Sequence, residues 1–166
     1  DINIYEKSTS KNFHGMPLAF LTNLDSNNNF NFIENYLDFN NLLYVGIRDI
    51  DSYEEEVIKK YNIKYIKCEE VNSKPEKTLQ EINDFLKDEP YHLSFDVDSL
   101  DPCFIPCTGT PVEGGLDLEK TKYILDNLNT KNLVNMDLTE LNLELGNREE
   151  QKKTMENINY LMNKFL

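Results

Sequence analysis

The sequence predicts an α/β fold with a mainly parallel sheet flanked by helices, and three observations carry that expectation. Short apolar runs rich in β-branched and aromatic residues alternate with amphipathic stretches. The clearest of these runs, N-L-L-Y-V-G-I-R-D at 41–49, is almost continuously apolar and ends in charge, as a strand covered on both faces should be. The segments between runs suit helical crossovers of βαβ units.

Each element has its own signal. The Asn-biased stretch at 24–41 reads as a solvated loop without chemistry, although Phe32, Ile33, Tyr36 and Leu37 share one helical face and predict loop followed by helix. After the first strand, S-Y-E-E-E-V-I-K-K-Y-N predicts a helix behind Asp51, and K-Y-I-K-C at 64–68 a weaker strand. Pro75 stands near the first turn of the next helix, in which Leu79, Ile82 and Phe85 or Leu86 share a face. Y-H-L-S-F-D-V (91–97) and N-L-V-N-M-D-L (132–138) complete the strands. Between them D-L-E-K-T-K-Y-I-L-D-N-L-N (117–129) predicts a helix with an Asp N-cap. The last helix carries Met155, Ile158, Met162 and Phe165 at helical spacing, a core stripe rather than a cofactor site.

With 166 residues, 39% of them hydrophobic and 28% charged, the chain has material for one domain or a piece of one. A net charge of −13 repels phosphate backbones and anionic membranes, which argues against nucleic-acid and membrane partners. No apolar run approaches the roughly 20 residues that cross a bilayer. Cys68, Cys103 and Cys107 match no strong zinc spacing and read as free thiols of a reducing compartment; a cytoplasmic location is a separate expectation. The opening D-I-N-I-Y-E-K, without Met, leads us to expect a longer parent chain.

One stretch raises a chemical question. Y-H-L-S-F-D-V-D-S-L-D-P places Asp96, Asp98 and Asp101 at the carboxyl end of a buried strand, where ligands gather in parallel α/β sheets. Strand residues two apart face the same way, so Asp96 and Asp98 are expected to converge. Two close, buried anions repel unless a cation, a proton or an arginine offsets them. Either they cap a helix or meet one of the two arginines, Arg48 and Arg148, or they hold a metal; metal is the reading preferred here. Asp101, followed by Pro102, reads as turn chemistry. His92, inside the strand, reads as a hydrogen-bonded structural histidine.

Two longer motifs point to a family. D-I-N-I-Y-E-K-S-T-S-K-N-F-H-G-M-P at 1–17 resembles the arginase stretch that follows the metal-binding D-A-H-x-D motif. S-F-D-V-D-S-L-D-P followed by T-G-T-P-V-E-G-G-L resembles the ureohydrolase signature, with V-G-I-R-D-I-D and M-D-L-T-E-L-N in the order that family shows. The chain departs from the pattern at Ser8, where Thr is usual, at Lys11 and Ser99, where Gly is common, and in I-Y-E-K, which lacks a common Thr-Pro.

That resemblance implies a three-layer α/β/α ureohydrolase fold, of which residues 1–166 would be the C-terminal portion of a single domain. It implies two Mn2+ ions and hydrolysis of L-arginine to L-ornithine and urea, the arginine metabolism of the urea cycle. Asp1, Asp96 and Asp98 would be metal ligands, with Asp96 bridging, and the remaining ligands would lie upstream of Asp1. A water held between two metals loses a proton near neutrality and would attack the guanidinium carbon. His14 would shuttle the proton to the departing amine and Glu140 would orient the guanidinium. Asn3, Ser10 and Asn12 would bond the substrate α-carboxylate, Asp51 the α-amino group, with Glu54 and Asp49 weaker candidates and Thr110 a supporting contact.

From spacing alone, Asn3, Ser10 and Asn12 read equally as loop residues bonding their own backbone, and Asp51 with Glu54 as a capping pair. The family's members are commonly trimers, which implies a homotrimer. An agmatinase, or a non-catalytic ureohydrolase-like subunit, are the alternatives that these residues leave open.

Overall fold

The computed structural model describes residues 1–25, 30 and 32–165. The α/β expectation holds. Four strands are present among the described residues: β1 (Leu43–Ile47), β2 (Lys64–Lys67), β3 (Tyr91–Asp96) and β4 (Leu133–Thr139). β1 pairs with β2 in one two-stranded sheet, and β3 with β4 in another. The helices are α1 (Pro17–Leu21), α2 (Ser52–Tyr61), α3 (Cys68–Ser73), α4 (Pro75–Leu86), α5 (Leu118–Asn127) and α6 (Arg148–Met162). No helix among the described residues is long and apolar enough to cross a membrane.

The chain divides into two compact units, one of Asp1–Tyr44 with Asp49–Tyr65, the other of Val45–Arg48 with Ile66–Leu166. The first unit gathers Ile2, Met16, Ala19, Val57 and Ile63, all nearly inaccessible to solvent. Their burial is the main favourable term for a segment otherwise dominated by loops. α1 starts with Pro17 at its first turn, where the missing N–H is no loss. α2 is introduced by Asp51, whose backbone N–H donates to Glu54 Oε2 at 3.2 Å. It ends at Asn62, which takes the left-handed conformation that Asn tolerates.

The second unit contains one complete β3-α5-β4 crossover. β3 and β4 are parallel, with Leu93 opposite Met136, Phe95 opposite Leu138 and Asp96 opposite Thr139. Asp117 caps α5 by accepting from the Lys120 N–H at 3.0 Å, and Asn147 caps α6 through the N–H groups of Glu149 and Glu150. Val71, Phe95, Val97, Leu125, Ile158 and Leu161 are buried between these elements. His92, as expected, is hydrogen-bonded: its Nε2 lies 2.9 Å from Asp137 Oδ2, and Ser94 Oγ donates to Asp137 Oδ1 at 2.6 Å.

Three expectations need correction. No helix forms over 32–37; Phe32 is 77% exposed, and Leu37 N–H instead reaches Leu21 O at 2.8 Å. One short apolar face does not offset the cost of nucleating a helix beside Asn residues that compete for the backbone. The Asn-rich positions 26–29 and 31 lie outside the described residues. β1 is half-buried, with only Gly46 fully covered, rather than buried on both faces. In α6 the buried positions are Thr154, Ile158, Leu161 and Met162; Met155 and Phe165 sit at the margin, so the stripe is rotated from the expected one.

Asp101 performs the turn role read from the sequence. Its Oδ1 accepts from Cys103 N–H at 3.0 Å, and its Oδ2 from Gly114 and Gly115 N–H at 2.9 and 3.3 Å. Main-chain bonds from Asp101 N–H to Leu116 O and from Leu116 N–H to Ser99 O close the same loop pair. At Gly115 an added Cβ would collide with the backbone of Leu100 and Asp101, so the glycine permits this approach. The Cys103 bonds, followed by those from Gly114 and Gly115, hold the Asp101 carboxyl below its ordinary range. A depressed carboxylate contributes stability above its unfolded pKa of about 3.9 that is lost as pH falls through its lower folded value. Asp101→Ala is therefore expected to lower Tm by about 2–4 °C at pH 7, the gap to wild type shrinking below about pH 4 in thermal melts.

Candidate active site

β3 ends at Asp96, and the chain turns at once into a 3₁₀ turn, Val97–Ser99, that contains Asp98. Asp98 is therefore not a strand residue, and the period-two reasoning that paired it with Asp96 does not apply. The two carboxylates are brought together by the turn. Asp96 Oδ1 accepts from Asp98 N–H at 3.1 Å, capping the turn, and Ser99 Oγ donates to Asp96 O at 2.6 Å. Val97, between them, is completely buried and anchors the turn.

The neighbouring chain segments converge on this turn. Thr110, from T-G-T-P, donates its hydroxyl to Asp98 Oδ2 at 3.0 Å. The parallel register places Thr139 level with Asp96, so Glu140 follows at the same sheet end. A Cβ on Gly109 would stand 3.8 Å from Glu140 Oε2, which puts that carboxylate beside the T-G-T-P loop. Glu140 itself has φ +59°, a left-handed conformation that costs a non-glycine residue about 1–2 kcal/mol.

Burial first, and then repulsion from Asp98, pushes the Asp96 carboxyl up to about 6, with Glu140 adding to the shift. Arginine does not offset this charge. The Arg48 guanidinium directs its N–H groups to main-chain oxygens, Nη2 to Asp98 O at 2.7 Å and Val112 O at 2.9 Å, and Nη1 to Ser99 O at 3.3 Å. It thus ties the aspartate turn to the loop after T-G-T-P and leaves the carboxylates free of it. Sequence reasoning considered Arg48 only as a partner of the side chains; its signal was its position at the end of β1, where strand termini meet site loops.

The residues near the chain's start form a second cluster. Asn3 is buried; its Nδ2 donates to Asp51 Oδ2 at 2.7 Å, and its Oδ1 accepts from Ile4 N–H at 2.9 Å. Glu54 Oε1 accepts from the backbone nitrogens of Asp1 and Ile2 at 2.9 and 3.0 Å, so both Glu54 oxygens serve this chain's own backbone. Ser10 Oγ lies 3.3 Å from Ser8 Oγ and accepts from Asn12 N–H at 3.3 Å. The Asn12 side chain makes no capping bond to the 3₁₀ turn Phe13–Gly15 that follows, and that turn carries an exposed His14.

Lys11, where the related motif commonly has Gly, retains a glycine-like φ of +61°. Its strain is offset by Nζ donating to Tyr5 O at 2.6 Å, by a cation–π contact with the Tyr5 ring at 5.1 Å, and by its N–H to Ser8 Oγ at 3.1 Å. Ser99, the other such position, does not have positive φ.

The chemistry of the donors fits a divalent cation: hard carboxylate oxygens of Asp96 and Asp98, mutually repelling and unneutralised by Arg48. Among the described residues, no group of three or more His, Cys, Asp or Glu forms a complete ligand set, so these two donors require others to complete a site.

Residues 1–165 match the sequence profile of the arginase family. The chain belongs to the arginase family. It is 42% identical over 153 residues to an arginase of Coccidioides immitis, covering 86% of this chain and 47% of that protein. To the human mitochondrial arginase-2 it is 33% identical over 168 residues, covering 95% and 48%. This arginase-family chain thus spans about half the length of these relatives. Among solved structures, Entamoeba histolytica arginase in complex with L-ornithine superposes with a TM-score of 0.82 at 33% identity, over 96% of this chain and 56% of that one. A hypothetical agmatinase of Burkholderia thailandensis gives 0.63 at 28% identity, over 76% and 38%.

Two outcomes are expected. Because the Asp96 pKa is raised in the folded state, its contribution to stability is present below the unfolded pKa of about 3.9 and is lost as pH rises through about 6. Metal-free protein carrying Asp96→Asn should therefore lose less stability than wild type between pH 4 and 7 in denaturant titrations. At position 11, Lys11→Gly should exceed Lys11→Ala in stability by roughly 1 kcal/mol, because alanine keeps the strain and loses the tether.

Proposed function

We propose that this chain is the C-terminal portion of a single ureohydrolase domain whose complete form is a manganese-dependent arginase, hydrolysing L-arginine to L-ornithine and urea. The observation that carries the reading is the Asp96–Asp98 turn: crowded carboxylates, one with a pKa raised to about 6, held at a parallel strand end beside Glu140. Family membership and the arginase relatives support it.

In this reading Asp1, Asp96 and Asp98 would hold two Mn2+ ions together with residues from the remainder of the protein. The chemistry such a pair would supply when bound is Lewis acidity that lowers the pKa of a water toward neutrality. The chain's own residues do the rest. Thr110 Oγ1 donates to Asp98 Oδ2 at 3.0 Å, which removes one lone pair and fixes the orientation of that carboxylate. Glu140 presents a carboxylate to the planar guanidinium, and the backbone strain stored there sets its direction. His14, exposed on its short turn, delivers a proton to the departing amine, a role suited to an imidazole.

At the other end of the substrate, Asn3, Ser10 and Asn12 meet the α-carboxylate. Asn12 has its amide uncommitted by capping, and Asn3 Nδ2 keeps a second N–H beyond the one given to Asp51. Asp51 meets the α-amino group, with Glu54 behind it. The assembly is a cytoplasmic homotrimer in this reading, and its substrate is a small molecule.

Agmatine lacks the α-carboxylate and makes the polar Ser8–Asn12 segment redundant, which sets the decisive assay. Complete, manganese-loaded protein should turn over L-arginine with at least a tenfold higher kcat/KM than agmatine, and Asp96→Ala should reduce arginine turnover by at least a thousandfold. Preference for agmatine, or unimpaired turnover in Asp96→Ala, overturns the proposal.

A further inference from the structure

The sequence between Asn3 and Ser8, I-Y-E-K, is one of the places where the chain leaves the family pattern, and it contributes a lysine to a cavity. This open cavity of about 240 Å³ is lined by Lys7, Thr9, Asp51, Ser52, Tyr53 and Glu56. Its charges are of both signs. Asp51 and Glu56 supply carboxylates, Lys7 an ammonium, and Thr9 and Ser52 hydroxyls. Asp51 is also the residue whose Oδ2 holds Asn3 Nδ2 at 2.7 Å, so the cavity adjoins the Asn3 cluster directly.

The two lysines of this loop differ. Lys11 is committed, its ammonium donating to Tyr5 O at 2.6 Å while stacking on the Tyr5 ring. Lys7 has no such tie, and no ion pair joins it to Asp51 or Glu56 among the described residues. A cation left uncommitted beside two carboxylates, in a chain of net charge −13, is the local exception to a field that opposes any approaching anion. A ligand with an ammonium and a carboxylate on one carbon satisfies both sides at once: its ammonium faces Asp51 and Glu56, and its carboxylate faces Lys7 and Thr9.

We infer that Lys7 is a specificity-determining residue that binds the α-carboxylate of an α-amino acid in the Asp51 cavity. The inference rests on the reading of Asp51 as the α-amino partner given above. A primary ammonium held at an exposed rim favours carboxylate ligands by a few-fold to about tenfold, a factor added to that of Asn3, Ser10 and Asn12. Lys7 is exposed and outside the hydrophobic core, so its replacement leaves folding intact.

The test is calorimetric binding of L-ornithine and of putrescine, which is ornithine without its carboxylate, to the complete manganese-loaded protein. Lys7→Met should raise the Kd for L-ornithine roughly three- to tenfold and leave that for putrescine unchanged, while Lys7→Arg should stay near wild type. Unaltered L-ornithine affinity in Lys7→Met, an equal loss for putrescine, or no L-ornithine binding by wild type each overturns the inference. Turnover is measured in parallel. A wild type that prefers agmatine sinks the arginase reading, yet selective loss of L-ornithine affinity in Lys7→Met would still uphold the role of Lys7.

Discussion

Repulsion between two carboxylates at the end of β3 is the constraint around which the second unit is organised. Asp96 and Asp98 are drawn out of bulk water, and the cost appears as a raised pKa at Asp96. Neither is neutralised by the half-buried arginine nearby, since Arg48 directs Nη1 and Nη2 to the carbonyls of Asp98, Ser99 and Val112. Arg48 thus braces the turn through its backbone and leaves the two carboxylate charges without an arginine partner. A design aimed only at stability would pair such charges or replace them.

The same economy recurs in the surrounding loops. Asp101 closes its loop pair through three backbone N–H groups, and Asn72 braces the same region by donating to Gly115 O at 3.0 Å and accepting from Asp117 N–H at 2.9 Å. Strain is admitted at Glu140 and Lys11, each with φ near +60°, both in segments that the proposed chemistry uses. Lys11 shows how such strain is offset without glycine: a side chain long enough to fold back supplies carbonyl and ring contacts.

Much of the fold was legible because local pattern and tertiary role agree. All four strands begin and end within two residues of their apolar runs, and α2, α4 and α5 fall where their amphipathic stretches place them. Disagreement arose where local signals were thin. The six-residue α3 at Cys68–Ser73 was hidden behind the strand pattern, although Glu70, three residues after Lys67, accepts its N–H at 3.2 Å as a capping residue would. The face of α6 was misjudged because Thr154, wholly buried and accepting from Cys107 N–H at 3.3 Å, belongs to the core for a polar reason that hydrophobic spacing cannot reveal.

The sequence by itself determined the type of most elements, the placement of acidic residues at a strand end, and the family motifs, because periodicity, turn chemistry and motif order are properties of neighbouring residues. Tertiary structure alone decided which groups meet. That Arg48 grips carbonyls 50 and more residues away, and that Thr139 aligns with Asp96 to deliver Glu140, follow from register and close approach. Those depend on how β3 and β4 pair and how loops pack over their ends, and no local stretch of chain encodes such long-range contacts.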